Sequence, residues 1–121
     1  CGWLDLPALR YSLQIGGINS IALTKIDILD GMDEIKICTH YEHNSRRYDT
    51  LPTADAEFMA EAKPIYKTMP RWQSPTEGIK NFIDFPKEAQ KYVKFIEDSV
   101  GVKVEIISNG PARNEVFYRI E

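Results

Sequence analysis

Thr24-Lys25-Ile26-Asp27 follows directly on the apolar run Ile21-Ala22-Leu23, and its residue types suit recognition of a purine. A fixed carboxylate such as that of Asp27 accepts two parallel hydrogen bonds, the pattern that the ring N–H and exocyclic amine of guanine offer. Lys25 stands two positions earlier and leaves an extended strand on the same side, so its alkyl stem can lie over a base. Adenine presents a lone pair where guanine presents its ring donor. A buried carboxylate facing that lone pair costs on the order of several kcal/mol. The same four residues also read as a charged strand-to-helix corner without a ligand.

A second segment offers the complementary chemistry. Ile106-Ile107 runs into Ser108-Asn109-Gly110-Pro111, a small turn whose backbone N–H groups can face a ligand oxygen. The guanine carbonyl needs such donors, which a carboxylate cannot supply. The other reading is an ordinary connection between two strands.

Both segments need strands behind them. Ser20 to Thr24 reads as a short buried strand, too apolar to alternate, and Val102 to Ile107 as another. Asp27 to Met32 is then a turn of helix or a tight corner closed by Gly31. Glu34 to His43 alternates, with Ile35, Ile37, Thr39 and Tyr41 on one face and Lys36, Cys38, His40 and Glu42 on the other. His43-Asn44-Ser45 is turn chemistry, and Arg46 to Leu51 pairs back as a hairpin.

Two helices stand out. Asp5-Leu6-Pro7 opens the first, with Leu6, Tyr11, Leu13 and Ile15 on its apolar face and Gly16-Gly17 at its end. The second and stronger has Pro86 at its first position, Ala89, Tyr92, Val93, Ile96 and Val100 at helical spacing, and Gly101 as its stop. Thr53 to Ala62 holds a short helix around Phe58 and Met59, and Pro64 to Pro70 is a short strand near an edge. Trp72 to Asn81 is loop, and Glu115 to Ile120 a final strand. Strands mixed with helices, without repeats, give an α/β fold.

Composition excludes several classes. With 121 residues and 43% hydrophobic content, the chain is the size of one globular domain, with no internal boundary. A net charge of −3 and a densest basic cluster of only Arg46-Arg47 argue against nucleic acid. No apolar run approaches the roughly 20 residues that cross a bilayer, and no basic-then-apolar leader is present. Cys1 and Cys38 are too few and too far apart for a disulfide scaffold and suit reduced thiols in the cytosol. His40 and His43 face opposite ways on one strand, so no metal pair is expected. Trp3 and Trp72 read as packing anchors, Cys38 as a small buried hydrophobe, and Glu42, Glu57 and Glu61 as solvated surface. The chain opens without methionine and reads as a piece of something longer.

Four segments in order, Cys1-Gly2-Trp3-Leu4-Asp5-Leu6, Leu23-Thr24-Lys25-Ile26-Asp27-Ile28-Leu29-Asp30, Tyr66-Lys67-Thr68-Met69-Pro70-Arg71-Trp72 and Ser108-Asn109-Gly110-Pro111, resemble the C-terminal part of the adenylosuccinate synthetase family. The resemblance implies the C-terminal part of a larger P-loop-NTPase-like domain, with a mixed central sheet flanked by helices. It also implies a cytoplasmic, homodimeric ligase that joins IMP and L-aspartate to adenylosuccinate, releasing GDP and phosphate from GTP, on the way to AMP. The family's guanine site carries over to Lys25, Ile26 and Asp27 and to Ser108, Asn109 and Gly110. No catalytic residue and no metal ligand carries over. The family's phosphate loop, catalytic residues and Mg2+ ligands belong ahead of Cys1, so the chain alone is expected to be inactive. Arg71 stands where the family has glycine. Asn109 stands where threonine is common, which matters little if only its amide is used. The alternatives are a stand-alone guanine-nucleotide-binding module without catalysis and a structural domain whose motif is accidental.

Overall fold

In the computed structural model, residues 3–17, 19–24, 26–50, 56–110 and 116–118 are described. They form two compact units, residues 1–18 with 36–69 and residues 19–35 with 70–121. Each unit has its own sheet.

The first unit begins with a two-residue strand, β1 (Leu4–Asp5), and the helix α1 (Leu6–Gly16). Asp5 caps that helix by accepting a 3.0 Å hydrogen bond from the Ala8 amide, which satisfies one of the donors left over at a helix start. Pro7 fits in the first turn, where no intrahelical N–H is needed, and Gly17 closes the helix in the left-handed conformation. β3 (Ile35–His43) pairs in parallel with β1, in antiparallel fashion with β4 (Arg46–Tyr48), and also with β5 (Lys63–Met69). Asn44 and Ser45 both have positive φ, 52° and 64°, the backbone that matches a two-residue hairpin to strand twist. α2 (Ala56–Glu61) precedes β5.

The core of this unit is Leu6, Ile37, Cys38, Tyr41, Phe58 and Met69. The alternation expected along β3 holds at Ile37 and Tyr41, but Cys38 on the opposite face is buried as well. Its thiol is pushed up, chiefly by that burial, as suits an inert small hydrophobe. Ile15 departs from expectation. It is 72% exposed in the last turn of α1, because the buried positions of that helix lie in its first turn at Leu6 and Pro7.

The second unit holds β2 (Ser20–Leu23), a 3-10 turn at Ile26–Leu29, another at Phe82–Asp84, the helix α3 (Lys87–Val100), β6 (Lys103–Ser108) and β7 (Val116–Tyr118). β6 lies between β2, parallel to it, and β7, antiparallel to it. α3 buries Ala89, Tyr92, Val93 and Ile96 on one stripe and ends at Gly101 with φ +76°. Pro86 sits one position earlier than expected, at the cap rather than inside the helix. Ile26, Ile35 at the start of β3, Trp72, Phe82, Phe85, Val104, Ile107 and Phe117 complete the core. Aromatic edges pack on faces, Trp72 with Tyr92 at 5.7 Å and Phe85 with Phe117 at 5.5 Å. The expected final strand is present at Val116–Tyr118, and the rest of that expectation lies outside the described residues.

Candidate functional site

β2 and β6 run the same way, and their register pairs Ile21 with Val104 and Leu23 with Ile107. Their carboxyl ends therefore leave the sheet side by side. One continues into Thr24-Lys25-Ile26-Asp27 and the other into Ser108-Asn109-Gly110. Adjacent strands are spaced by about 4.8 Å. Two segments 80 residues apart in the chain thus begin as immediate neighbours, at the edge where α/β sheets bind ligands. The expected convergence of the two motifs rests on this pairing.

The corner after β2 is a 3-10 turn packed against β6. Ile26 anchors it from below at 1% exposure, so this candidate's side chain belongs to the core. Asp27 follows in the first turn and is half-buried. Its Oδ1 is buried without a hydrogen-bond partner, a state that costs on the order of 1–3 kcal/mol or more for a polar atom. Among the described residues only Thr50 Oγ1 and Asn109 Oδ1 share that condition. A carboxylate with an open buried acceptor beside a sheet edge is the arrangement that a donor pair on a base would complete. Lys25 lies outside the described residues.

The corner is tied down by groups the motif does not contain. Asp30, three residues after Asp27, accepts from Trp72 Nε1 at 2.7 Å and from the Thr76 amide at 2.7 Å. The Thr76 hydroxyl lies 2.8 and 3.0 Å from its two oxygens and shares one proton between them. The Gly31 amide, at φ +73°, donates to the Trp72 carbonyl at 3.1 Å. The bonds to the Asp30 carboxylate are of the stronger, charge-assisted kind. Trp72 is 2% exposed, the packing anchor expected. Thr76, read as loop, is fully buried.

At the other rim Ser108 pairs with Val116 and is half-buried, whereas Asn109 and Gly110 are buried. The Asn109 side chain is not idle. Its Nδ2 donates to the carbonyls of Thr76 at 2.6 Å and Ile79 at 2.8 Å. Turning the amide over would set an oxygen against two carbonyls, so the orientation is fixed. Sequence reasoning missed Asp30 and Thr76 as parts of the site's framework. Asp30 was visible as the second carboxylate of the corner, but no spacing rule links it to a threonine 46 residues away.

Both histidines are engaged in structural hydrogen bonds. His43 pairs with Glu61 at 3.0 Å and stacks at a tilt on Phe58, so Glu61 has a partner that the sequence did not reveal. His40 bonds to Thr39 Oγ1. Among the described residues no three His, Cys, Asp or Glu side chains stand close enough to hold a metal ion. A groove of about 430 Å³ is lined by Ile83, Phe85, Lys87, Gln90, Lys91 and Lys94, none of them a candidate residue. No helix among the described residues is long and apolar enough to cross a membrane.

A parallel strand pair whose carboxyl ends run on into the two candidate motifs is the kind of α/β sheet edge at which ligands are bound. Comparison with known proteins gives the family. Residues 1–117 match the family model for adenylosuccinate synthetase, and the chain belongs to that family. It is 44% identical over 118 residues to the adenylosuccinate synthetase of Aquifex aeolicus, covering 98% of this chain and 27% of the relative. It is 45% identical over 117 residues to the chloroplastic adenylosuccinate synthetase 1 of Ricinus communis, covering 97% and 26%. The structure of the fully ligated adenylosuccinate synthetase from Plasmodium falciparum superposes with a TM-score of 0.92 at 29% identity, over 99% of this chain and 29% of that one. The expected fold class holds: this is an α/β portion of that P-loop-like fold. The chain spans about a quarter of the length of the curated relatives it matches.

Proposed function

We propose that this chain is the guanine-reading C-terminal portion of an adenylosuccinate synthetase that couples GTP hydrolysis to the joining of IMP and L-aspartate. Asp27 accepts from the ring N–H and the exocyclic amine of guanine. Lys25 packs along the base, and the backbone amides of Ser108, Asn109 and Gly110 meet its carbonyl. The observation that supports this reading is the β2–β6 register, which starts both rims from neighbouring strand ends, one bearing an open buried acceptor at Asp27 Oδ1.

Magnesium, the phosphate-binding residues and the catalytic groups belong, in this proposal, to parts of the enzyme other than these 121 residues. The chain alone therefore forms no adenylosuccinate, because phosphoryl transfer depends on charge stabilisation by those groups. The complete enzyme is proposed to be a homodimer in the cytoplasm, although the Ricinus relative is named as chloroplastic.

The test is Asp27→Asn in the complete enzyme, assayed with GTP and with XTP, whose base carries an acceptor in place of the exocyclic donor. GTP use is expected to fall by on the order of 100-fold or more and XTP use to rise. An unchanged preference for GTP would remove Asp27 from the site.

A further inference from the structure

The two rims of the base site are joined through a third segment. From the corner after β2, Asp30 holds the loop at residues 70–79 by way of Trp72 Nε1, the Thr76 amide and the Thr76 hydroxyl. From the same loop, the carbonyls of Thr76 and Ile79 take both protons of Asn109 Nδ2, and Asn109 lies between Ser108 and Gly110. Thr76 and Asn109 are each fully buried, so these bonds are largely shielded from water. The sheet fixes where the two rims begin, at Leu23 and Ile107. Among the described residues no ladder bond joins the corner to the turn beyond those positions, and the distance between the rims depends on what ties their far ends.

We propose that Asp30, Thr76 and Asn109 form a positioning bridge that sets the gap between the Asp27 carboxylate and the Ser108–Gly110 amides. The bridge thereby sets the preference for guanine over purines that lack the 2-amine. This inference rests on the guanine reading above. Asp30 and Thr76 touch no nucleotide in this scheme and act through the groups they hold in place. A carboxylate that must receive two donors at once tolerates little displacement. Loosening the bridge should therefore weaken the bidentate contact to GTP more than the single contact left to ITP.

The experiment is Thr76→Val in the complete enzyme, with Thr76→Ser as the conservative variant, measuring KM for GTP, ITP and IMP together with kcat. Thr76→Val is expected to raise KM for GTP about tenfold, the size of one net hydrogen bond lost, and to narrow the GTP-to-ITP preference. KM for IMP should stay within about twofold. Thr76→Ser should restore GTP binding.

Should Thr76→Val not fold, Asn109→Ala carries the same readout, because it removes the donor and keeps the backbone amide. In an Asp27→Asn background the Thr76 substitution should have no further effect on GTP, since the contact it positions is already gone. Two failures are distinguishable. If Asp27→Asn leaves the GTP-to-ITP ratio unchanged, the guanine reading falls and the bridge with it. If Asp27→Asn alters the ratio but a folded Thr76→Val or Asn109→Ala enzyme does not, the guanine reading survives and the bridge is overturned.

Discussion

Asp5 and Asp27 occupy equivalent places in the two units. Asp5 ends β1 and Asp27 lies just past β2; each of those short strands pairs in parallel with a longer one, and each aspartate sits at the start of the helical turn that comes after. Their carboxylates differ completely. Asp5 Oδ1 caps α1 at Ala8, and Oδ2 accepts from the Tyr41 hydroxyl in a short hydrogen bond, so both oxygens are committed to holding the unit together. Tyr41 is held well above the usual phenol range by burial and by that carboxylate. Asp27 has a buried Oδ1 that no group among the described residues bonds, while its neighbour Asp30 takes over the structural bonding. One corner divides its carboxylates, with Asp30 making the structural bonds and Asp27 Oδ1 left open among the described residues, whereas the other gives both oxygens of one carboxylate to structure. An acceptor remains available to a ligand only at the divided corner.

Breaking each carboxylate in turn tests that division, and the largest effect belongs to Asp27. Asp27→Ala in the complete enzyme is expected to lower GTP affinity on the order of 100-fold while leaving the melting temperature unchanged or slightly raised, because an unsatisfied buried oxygen is removed. Calorimetry beside a nucleotide titration separates the two effects. Asp5→Ala should do the opposite. Losing the cap costs about 1 kcal/mol, and orphaning the Tyr41 hydroxyl costs about 1–2 kcal/mol more. Denaturant unfolding should show that loss with KM for GTP unmoved. A fall in GTP affinity in Asp5→Ala would erase the contrast.

The two buried phenols sharpen the same comparison through pH. Tyr92 in the second unit is 5% exposed, and burial alone pushes it up to about 12 from the ordinary value of 10. An unfolded chain releases that proton near pH 10, whereas the folded one keeps it to about pH 12. Stability is therefore fully present below pH 10 and declines as pH rises through 12, by about 2–3 kcal/mol. Tyr92→Phe should flatten that decline in unfolding curves taken from pH 9 to 12. Tyr41 is raised for the additional reason of the Asp5 carboxylate, so Tyr41→Phe should flatten it as well, but at the expense of the Asp5 bond.

The smallest expected effect is a control in both units. Gly17 and Gly101 close α1 and α3 at φ +61° and +76°, with open space where a Cβ would go. Gly→Ala at either site should cost about 1 kcal/mol from backbone strain, equally in both, and leave nucleotide affinity untouched.

Much of the fold was legible before coordinates. Alternation marked β3, spacing at Ala89, Tyr92, Val93 and Ile96 marked α3, and Asp5-Leu6-Pro7 with Gly17 marked both ends of α1. These are local signals, carried by side-chain period and by residues that favour helix ends. Ile15 was misread because helical spacing says which residues share a face but not how far along the helix that face is covered. Thr76 was invisible for a related reason. It lies in a loop without period, and its burial comes from a carboxylate 46 positions away.

The sequence by itself determined the residue chemistry at the candidate site, an aspartate able to take two donors and a small turn rich in amides. Through its ordered motifs it also pointed to the family. Only the tertiary structure decided that those two pieces leave the sheet as neighbours and that Asp30, not Asp27, bears the structural load. It also decided that the Asn109 side chain ties the turn to a loop. The physical reason is that local chemistry is written in adjacent residues. Strand register and the choice of hydrogen-bond partner among several carboxylates are settled by which long-range arrangement leaves the fewest buried polar groups unpaired.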